Sequence, residues 1–351
     1  MGEIQLVDNR VSIETKSAQG GHAYRYLNQL LQIEGTVWNS APKELCTFAP
    51  NPIMYVAQRK KYLSHFIGSS CIHFLQLDEF YKAPSVFKFL KSHGIYIIAT
   101  MHHYPTSWAR GILLKRSSKF IDKIIVHSAF IKKTLEKMGI KSEIEVINYP
   151  VFDKTIADIV FATRVTRQSE KKTFLCLGDT RIDKGLNVLI DAFSYLPRET
   201  KERCRFVVAG KEKEIRYQTL LDEARKYDIE VFIEPGFITD QHYWELIHES
   251  DIILLPYTRL FTGASGPLTD GVYGKKQIIG CDFGNIGETI KKNELGTVFV
   301  TENSQSLAKE LTAAIRRDWI PSERYKAYRE TLEVESFMDS YQKIYQSIKI
   351  R

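Results

Sequence analysis

Six short apolar runs in the second half of this chain constrain its fold more than any other feature. They read "TFLCLG" (173–178), "CRFVVAG" (204–210), "IEVFIEPGF" (229–237), "DIILLP" (251–256), "KQIIG" (276–280) and "GTVFV" (296–300). Helix-like segments separate them, and in "GLNVLIDAFSYL" Leu186, Leu189, Ile190 and Phe193 fall on one helical face. Continuous apolar strands joined by helices require a parallel sheet covered on both faces. Such sheets bind ligands where loops leave the carboxyl ends of their strands. The loops after Leu177, Ala209, Ile233, Leu255 and Ile279 therefore share one edge, which carries Gly178, Gly210, Gly236 and Gly263.

The first half shows a noisier version of the same alternation, in "CIHFLQL", "IYIIATMHHYP", "KIIVHS" and "IEVINYP". A Gly-Gly pair, Gly20 and Gly21, precedes "HAYRYLNQLLQI" as another turn that opens a helix. At 351 residues the chain exceeds the size at which one core keeps growing. The polar stretch "FDKTIADIVFATRVTRQSEKK" holds the boundary, so the expected units are 1–160 and 161–325. The amphipathic tail, 326–351, is expected to pack back across the first unit.

No apolar run approaches the length of a membrane span. The N-terminus "MGEIQLVDNR" has neither a signal-peptide pattern nor the Ser or Thr of a myristoylation signal. The five cysteines are scattered without zinc spacing and read as reduced core residues of a cytoplasmic protein. Net charge is +7, from 49 basic and 42 acidic residues, and it is unevenly spread. Between 105 and 141 stand nine Lys/Arg against two acids, interleaved with apolar residues at helical spacing. That stretch is either a solvated helix face or a peripheral contact with an anionic membrane. No nucleic-acid recognition module accompanies it.

The loop "LFTGASGPLTDGVYGKKQIIG" (260–280) puts a glycine-rich turn between a strand and a helix. Gly263 and Gly266 permit positive φ and close ligand approach, while Pro267 suits a first helical turn. Free N–H groups at such a helix start form an anion site.

These residues resemble the GT-B-fold glycosyltransferases of the glycosyltransferase 4 type (glycosyl transferases group 1). The resemblance is strongest over 174–300, fair over 95–153 and weak before Ser70. It implies an α/β fold of two Rossmann-like parallel-sheet domains facing across a cleft, an N-terminal acceptor domain and a C-terminal donor domain. In "GDTRIDKG", the basic pair that grips the donor diphosphate is implied to be Arg181 and Lys184, after Gly178. "PGFITD" supplies Gly236 and Phe237 near the base. The quoted loop aligns with the family's Glu-x7-Glu segment and gives Thr262, Gly263, Ala264, Ser265, Gly266 and Pro267 as donor-binding residues. The first Glu falls on Thr262, which offers only a hydroxyl to the transferred sugar; the second falls on Asp270, implied to bind the ribose. "TMHHYP" gives His102 beside the transferred sugar, with His103 as the neighbouring alternative. Gly20 and Gly21 match the glycine loop that meets phosphates or acceptor from the other side.

The chain contains no Asp-x-Asp, the motif that holds a divalent cation in many sugar transferases. The expectation is therefore no metal and no cofactor, with Arg181, Lys184 and the helix N-terminus as preorganised positive charge. The resemblance implies a retaining hexosyl transfer from a nucleotide-diphosphate sugar, UDP-glucose type favoured and GDP-sugar second, to a glycan or lipid-linked glycan in polysaccharide biosynthesis. The alternatives are a sugar-nucleotide epimerase and a non-catalytic nucleotide-sugar or glycan-binding partner of another transferase.

Overall fold

A computed structural model of the protein describes residues 3–7, 22–38, 51–163 and 170–348. The chain divides into two units: Met1–Asn148 together with Val334–Arg351, and Tyr149–Glu333.

The first unit holds β1 (Ile4–Val7), β2 (Thr36–Trp38), β3 (Cys71–Phe74), β4 (Tyr96–Met101), β5 (Lys123–Val126) and β6 (Glu143–Val146). All pair in parallel, in the order β2-β1-β3-β4-β5-β6. β3 and β5 are buried along their full length, as strands covered by helices on both faces must be. The Val334–Ile348 helix belongs to this unit and is held by a chain of buried polar groups. The Tyr26 hydroxyl meets the Tyr341 hydroxyl, which lies 3.3 Å from Thr100 Oγ1. His73 bridges onward, Nε2 to Thr100 at 2.9 Å and Nδ1 to the Tyr345 hydroxyl at 2.7 Å. Burial pushes the His73 pKa down to about 3, so the network runs through a neutral imidazole.

The second unit holds β7 (Lys172–Leu177), β8 (Cys204–Gly210), β9 (Glu230–Pro235), β10 (Ile252–Leu255), β11 (Gln277–Cys281) and β12 (Gly296–Phe299), again all parallel. Their order is β12-β11-β10-β7-β8-β9. The chain winds outward from β7 through β8 to β9, then returns to lay β10 on the other side of β7. The crossovers diverge between β7 and β10, which is where a doubly wound sheet opens a crevice.

Two boundaries differ from the sequence expectation of 160 and 325. The Lys154–Thr163 helix lies in the second unit, with Phe161 packed 6.2 Å from the Trp244 ring and 5.4 Å from His248. The Tyr273 hydroxyl also donates to Asp158, at 2.8 Å. The Glu323–Glu330 helix is second-unit too, because Tyr325 donates to the carbonyls of Val272 and Lys276 and Arg329 to that of Tyr273. Only the last described helix returns to the first unit.

Candidate functional site

At the carboxyl end of β7 the chain turns through Gly178 into a loop that ends at Gly185. Thr180 knits this loop to the one after β8: its hydroxyl donates to the Ile215 carbonyl at 2.6 Å and accepts from the Lys213 N–H at 2.8 Å. Two glycines are required by close approach. A Cβ on Gly210 would lie 2.3 Å from the Gly178 carbonyl oxygen, so the ends of β7 and β8 meet only without one. Gly185 has φ +69°, and a Cβ there would lie 1.9 Å from the Pro256 carbonyl oxygen just past β10. The loop is thereby pressed onto the β10 end. Between them lies a small pocket lined by Gly178, Asp179, Thr180, Lys184, Pro256 and Tyr257. The β7/β10 crevice expected of this sheet is thus a physical cavity.

The two cations of the loop have different surroundings. Arg181 forks onto Asp183, Nε to Oδ1 at 2.9 Å and Nη2 to Oδ2 at 2.8 Å. That bidentate hydrogen bond raises the guanidinium pKa further. Lys184 forms no ion pair among the described residues; its Nζ lies 4.0 Å from the Tyr257 ring centroid and 4.3 Å from that of Phe261. Burial, then repulsion from Arg181, lowers its pKa to about 7. Ring faces attract the ammonium, but they do not replace its lost hydration.

Tyr257 links this lysine to the glycine-rich loop, since its hydroxyl lies 3.1 Å from Ser265 Oγ. Ser265 caps the Gly266–Tyr273 helix, accepting from the Leu268 N–H at 3.3 Å, and Pro267 occupies the first turn as expected. The expectation of positive φ at Gly263 and Gly266 is corrected. Positive φ occurs instead at Gly178, Gly210 and Gly236, on the strand ends, and at Gly185, which opens the Leu186–Ala192 helix. The turn into the helix is made by extended backbone at Ser265, and Gly266 is already helical. Gly263 is buried, its carbonyl accepting from Asn285 Nδ2 at 3.2 Å, while Thr262 and Ala264 are half-buried.

Asp270 lies on the same helix and is buried, accepting from the Tyr243 hydroxyl at 2.7 Å. Gly236 follows β9, its N–H donating to the Gly210 carbonyl at 2.6 Å, and leaves Phe237 exposed. Arg181, Lys184, Gly178 and the 262–270 segment therefore share the carboxyl edge of one sheet.

His102 lies in the first unit, beyond β4. Its Nε2 lies 3.0 Å from the Leu75 carbonyl, which can only accept, so Nε2 carries the hydrogen. The ring packs 5.0 Å from His127 and 5.5 Å from Tyr26. His103 is exposed, and its backbone N–H donates to Asp78. Gly20 and Gly21 lie outside the described residues. Sequence reasoning missed Asp183, Tyr257, Phe261, Tyr243 and Gly185. Only Asp183 carried a local signal, as the lone acid between two bases in "RIDK". Among the described residues, no group of three His, Cys, Asp or Glu side chains is placed to hold a metal ion, and no helix is long and apolar enough to cross a membrane.

The doubly wound second unit with this loop-and-helix edge and the first unit with its own parallel sheet are the two domains of the GT-B fold. Solved structures share the architecture at low identity. Sucrose-phosphate synthase from Thermosynechococcus elongatus matches with TM-score 0.73 and 14% identity over 100% of both chains. A glycosyltransferase from Rickettsia africae matches with TM-score 0.71 and 18% identity, over 98% of this chain and 97% of that one. Anabaena HepE in complex with UDP and glucose matches with TM-score 0.69 and 13% identity, over 99% and 100%. No curated protein matches the chain by sequence. Residues 161–331 match the model of the glycosyl transferases group 1, and the chain is a glycosyltransferase.

Proposed function

We propose that the chain is a retaining, metal-independent hexosyltransferase. It takes its sugar from a nucleotide-diphosphate sugar, of UDP-glucose type in preference to a GDP-sugar. The acceptor is a glycan or lipid-linked glycan in polysaccharide biosynthesis. The observation that carries this reading is Lys184, a cation without an ion-pair partner among the described residues, set in the switch-point pocket next to a capped helix N-terminus. A donor diphosphate supplies the missing anion. The solved HepE complex holds UDP and glucose, which supports the uridine preference.

On this reading Arg181, Lys184 and the N–H groups of the Gly266–Tyr273 helix offset charge on the leaving diphosphate. Asp270 addresses the ribose and Phe237 the base. Thr262, Gly263 and Ala264 address the hexose. The bond from the anomeric carbon to the phosphate oxygen breaks. The acceptor oxygen bonds to that carbon on the same face, and its proton passes to the departing phosphate.

The test uses UDP-glucose with water as the acceptor. Release of UDP should persist in excess EDTA, and the first glucose anomer seen by NMR should be α. A β anomer overturns retention, and a strict requirement for Mn²⁺ overturns metal independence. Arg181→Ala should slow release by roughly 10²–10³, the scale for losing one charged donor.

A further inference from the structure

Several surface cations of the second unit are paired with an acid close by in sequence. Arg198 pairs with Glu202, Arg203 with Glu199, Arg216 with Glu212 and Lys226 with Glu223. The Trp108–Ser117 helix of the first unit has no acid at all. Arg110, Lys115 and Arg116 are exposed on it, Lys119 follows in the next turn, and none forms an ion pair among the described residues. Lys123, counted with this basic stretch in the sequence, is not part of the surface. It is a strand residue, bound to Glu143 and Glu145 at 2.9 and 2.6 Å.

The same helix begins with an indole in water: Trp108 is 83% exposed. A helix that joins parallel strands runs antiparallel to them, so its N-terminus stands at the carboxyl edge of the sheet. The Pro52–Leu63 helix precedes β3 in the same way and shows Ile53, 81% exposed, at its own N-terminus. Solvating a tryptophan and an isoleucine at one edge is unfavourable. Amphipathic indoles settle at the boundary between headgroups and acyl chains.

We propose that this helix docks the first unit on an anionic bilayer, with Trp108 entering the interface and Arg110, Lys115, Arg116 and Lys119 facing acidic headgroups. Charge complementarity selects this occupant. Unpaired cations beside an exposed ring match a surface that is negative outside and apolar beneath, whereas a solvated helix face has no use for the ring. Each cation near such a surface adds about 1 kcal/mol, so removing three weakens binding about a hundredfold.

The test is co-flotation of the full chain with vesicles of pure phosphatidylcholine or of phosphatidylcholine with phosphatidylglycerol. Binding should require the anionic lipid and fall with salt. Arg110→Gln/Lys115→Gln/Arg116→Gln should lower it about a hundredfold. Tryptophan emission should shift to the blue on binding to anionic vesicles, and Trp108→Phe should abolish that shift. Both variants should release UDP from UDP-glucose in vesicle-free solution at the wild-type rate, which shows that they are folded. Equal flotation with neutral vesicles, undiminished flotation of the triple variant, or tighter binding to single-stranded DNA than to anionic vesicles overturns the proposal.

Discussion

If Lys184 meets the donor diphosphate as proposed, donor binding is a proton-linked event. The ammonium lies between the rings of Tyr257 and Phe261, and its pKa is lowered to about 7, first by burial and then by Arg181. The neighbouring groups do not titrate near neutrality: Arg181 and Tyr257 are pushed up and Asp183 down. A diphosphate against Nζ favours the charged form, so above about pH 7 the donor must bring a proton with it. Affinity for UDP-glucose should be flat below that pH and fall about tenfold per pH unit above it, since one pKa unit is about 1.4 kcal/mol. The free protein should respond in the opposite direction. Its folded-state pKa is below the unfolded one, so between about pH 7 and the ordinary lysine range the unfolded chain holds more protons. Stability from this group therefore rises with pH. Calorimetric titration with UDP-glucose at pH 8, in two buffers of different ionisation enthalpy, should show close to one proton taken up per site. Lys184→Arg, charged throughout, should take up none. Flat affinity from pH 6 to 9, or equal proton uptake in the variant, refutes the reasoning.

Two further expectations concern the same edge. Gly185→Ala combines a left-handed φ of +69° with a Cβ 1.9 Å from a backbone oxygen, so it should cost at least about 1–3 kcal/mol and lower the melting temperature by several degrees; an unchanged melting curve would mean that the loop does not press on β10. If Asp270 addresses the ribose, Asp270→Asn should erase a preference for UDP over 2′-deoxy-UDP, because an amide offers one acceptor oxygen where a carboxylate offers two; a preference retained at full strength returns Asp270 to a purely structural partner of Tyr243.

Strand positions in the second unit were legible because its central strands carry unbroken apolar runs, FLCL in β7 and IILL in β10, as strands under two helical layers do. Their spatial order was not, since the same six runs are compatible with several windings until β10 is seen on the far side of β7. The cations of the 178–185 loop stood out in "RIDK", but their states did not. The partners of Lys184 are rings at Tyr257 and Phe261, remote in sequence, and Arg181 finds Asp183 only once the turn at Ile182–Lys184 brings them together. The Lys154–Thr163 helix was hidden for the opposite reason. Its apolar face, with Ala157 and Val160, is short and flanked by polar residues, so it read as linker although it packs on the second core. Of the two adjacent histidines, sequence left the choice open. The inward turn of His102 is decided by Leu75, which lies on the neighbouring strand's exit.

The free protein keeps both cations of the 178–185 loop quiet by separate means, and this bears on where the proposed reaction gains its rate. Arg181 is satisfied by a carboxylate in a fork, so a phosphate that takes its place exchanges one bidentate ion pair for another. Lys184 is held near neutrality by burial, so its charge appears fully only when an anion is present. Both arrangements reduce the net attraction toward a donor whose diphosphate charge is still shared with the sugar bond. As that bond breaks, charge accumulates on the leaving phosphate, the proton on Lys184 is held more firmly, and the guanidinium is drawn further from Asp183. The interactions strengthen along the reaction coordinate beyond what they give at binding, and only that increment raises the rate of the chemical step. A loop that bound the diphosphate with two free, fully solvated cations would hold donor and product more tightly without that difference.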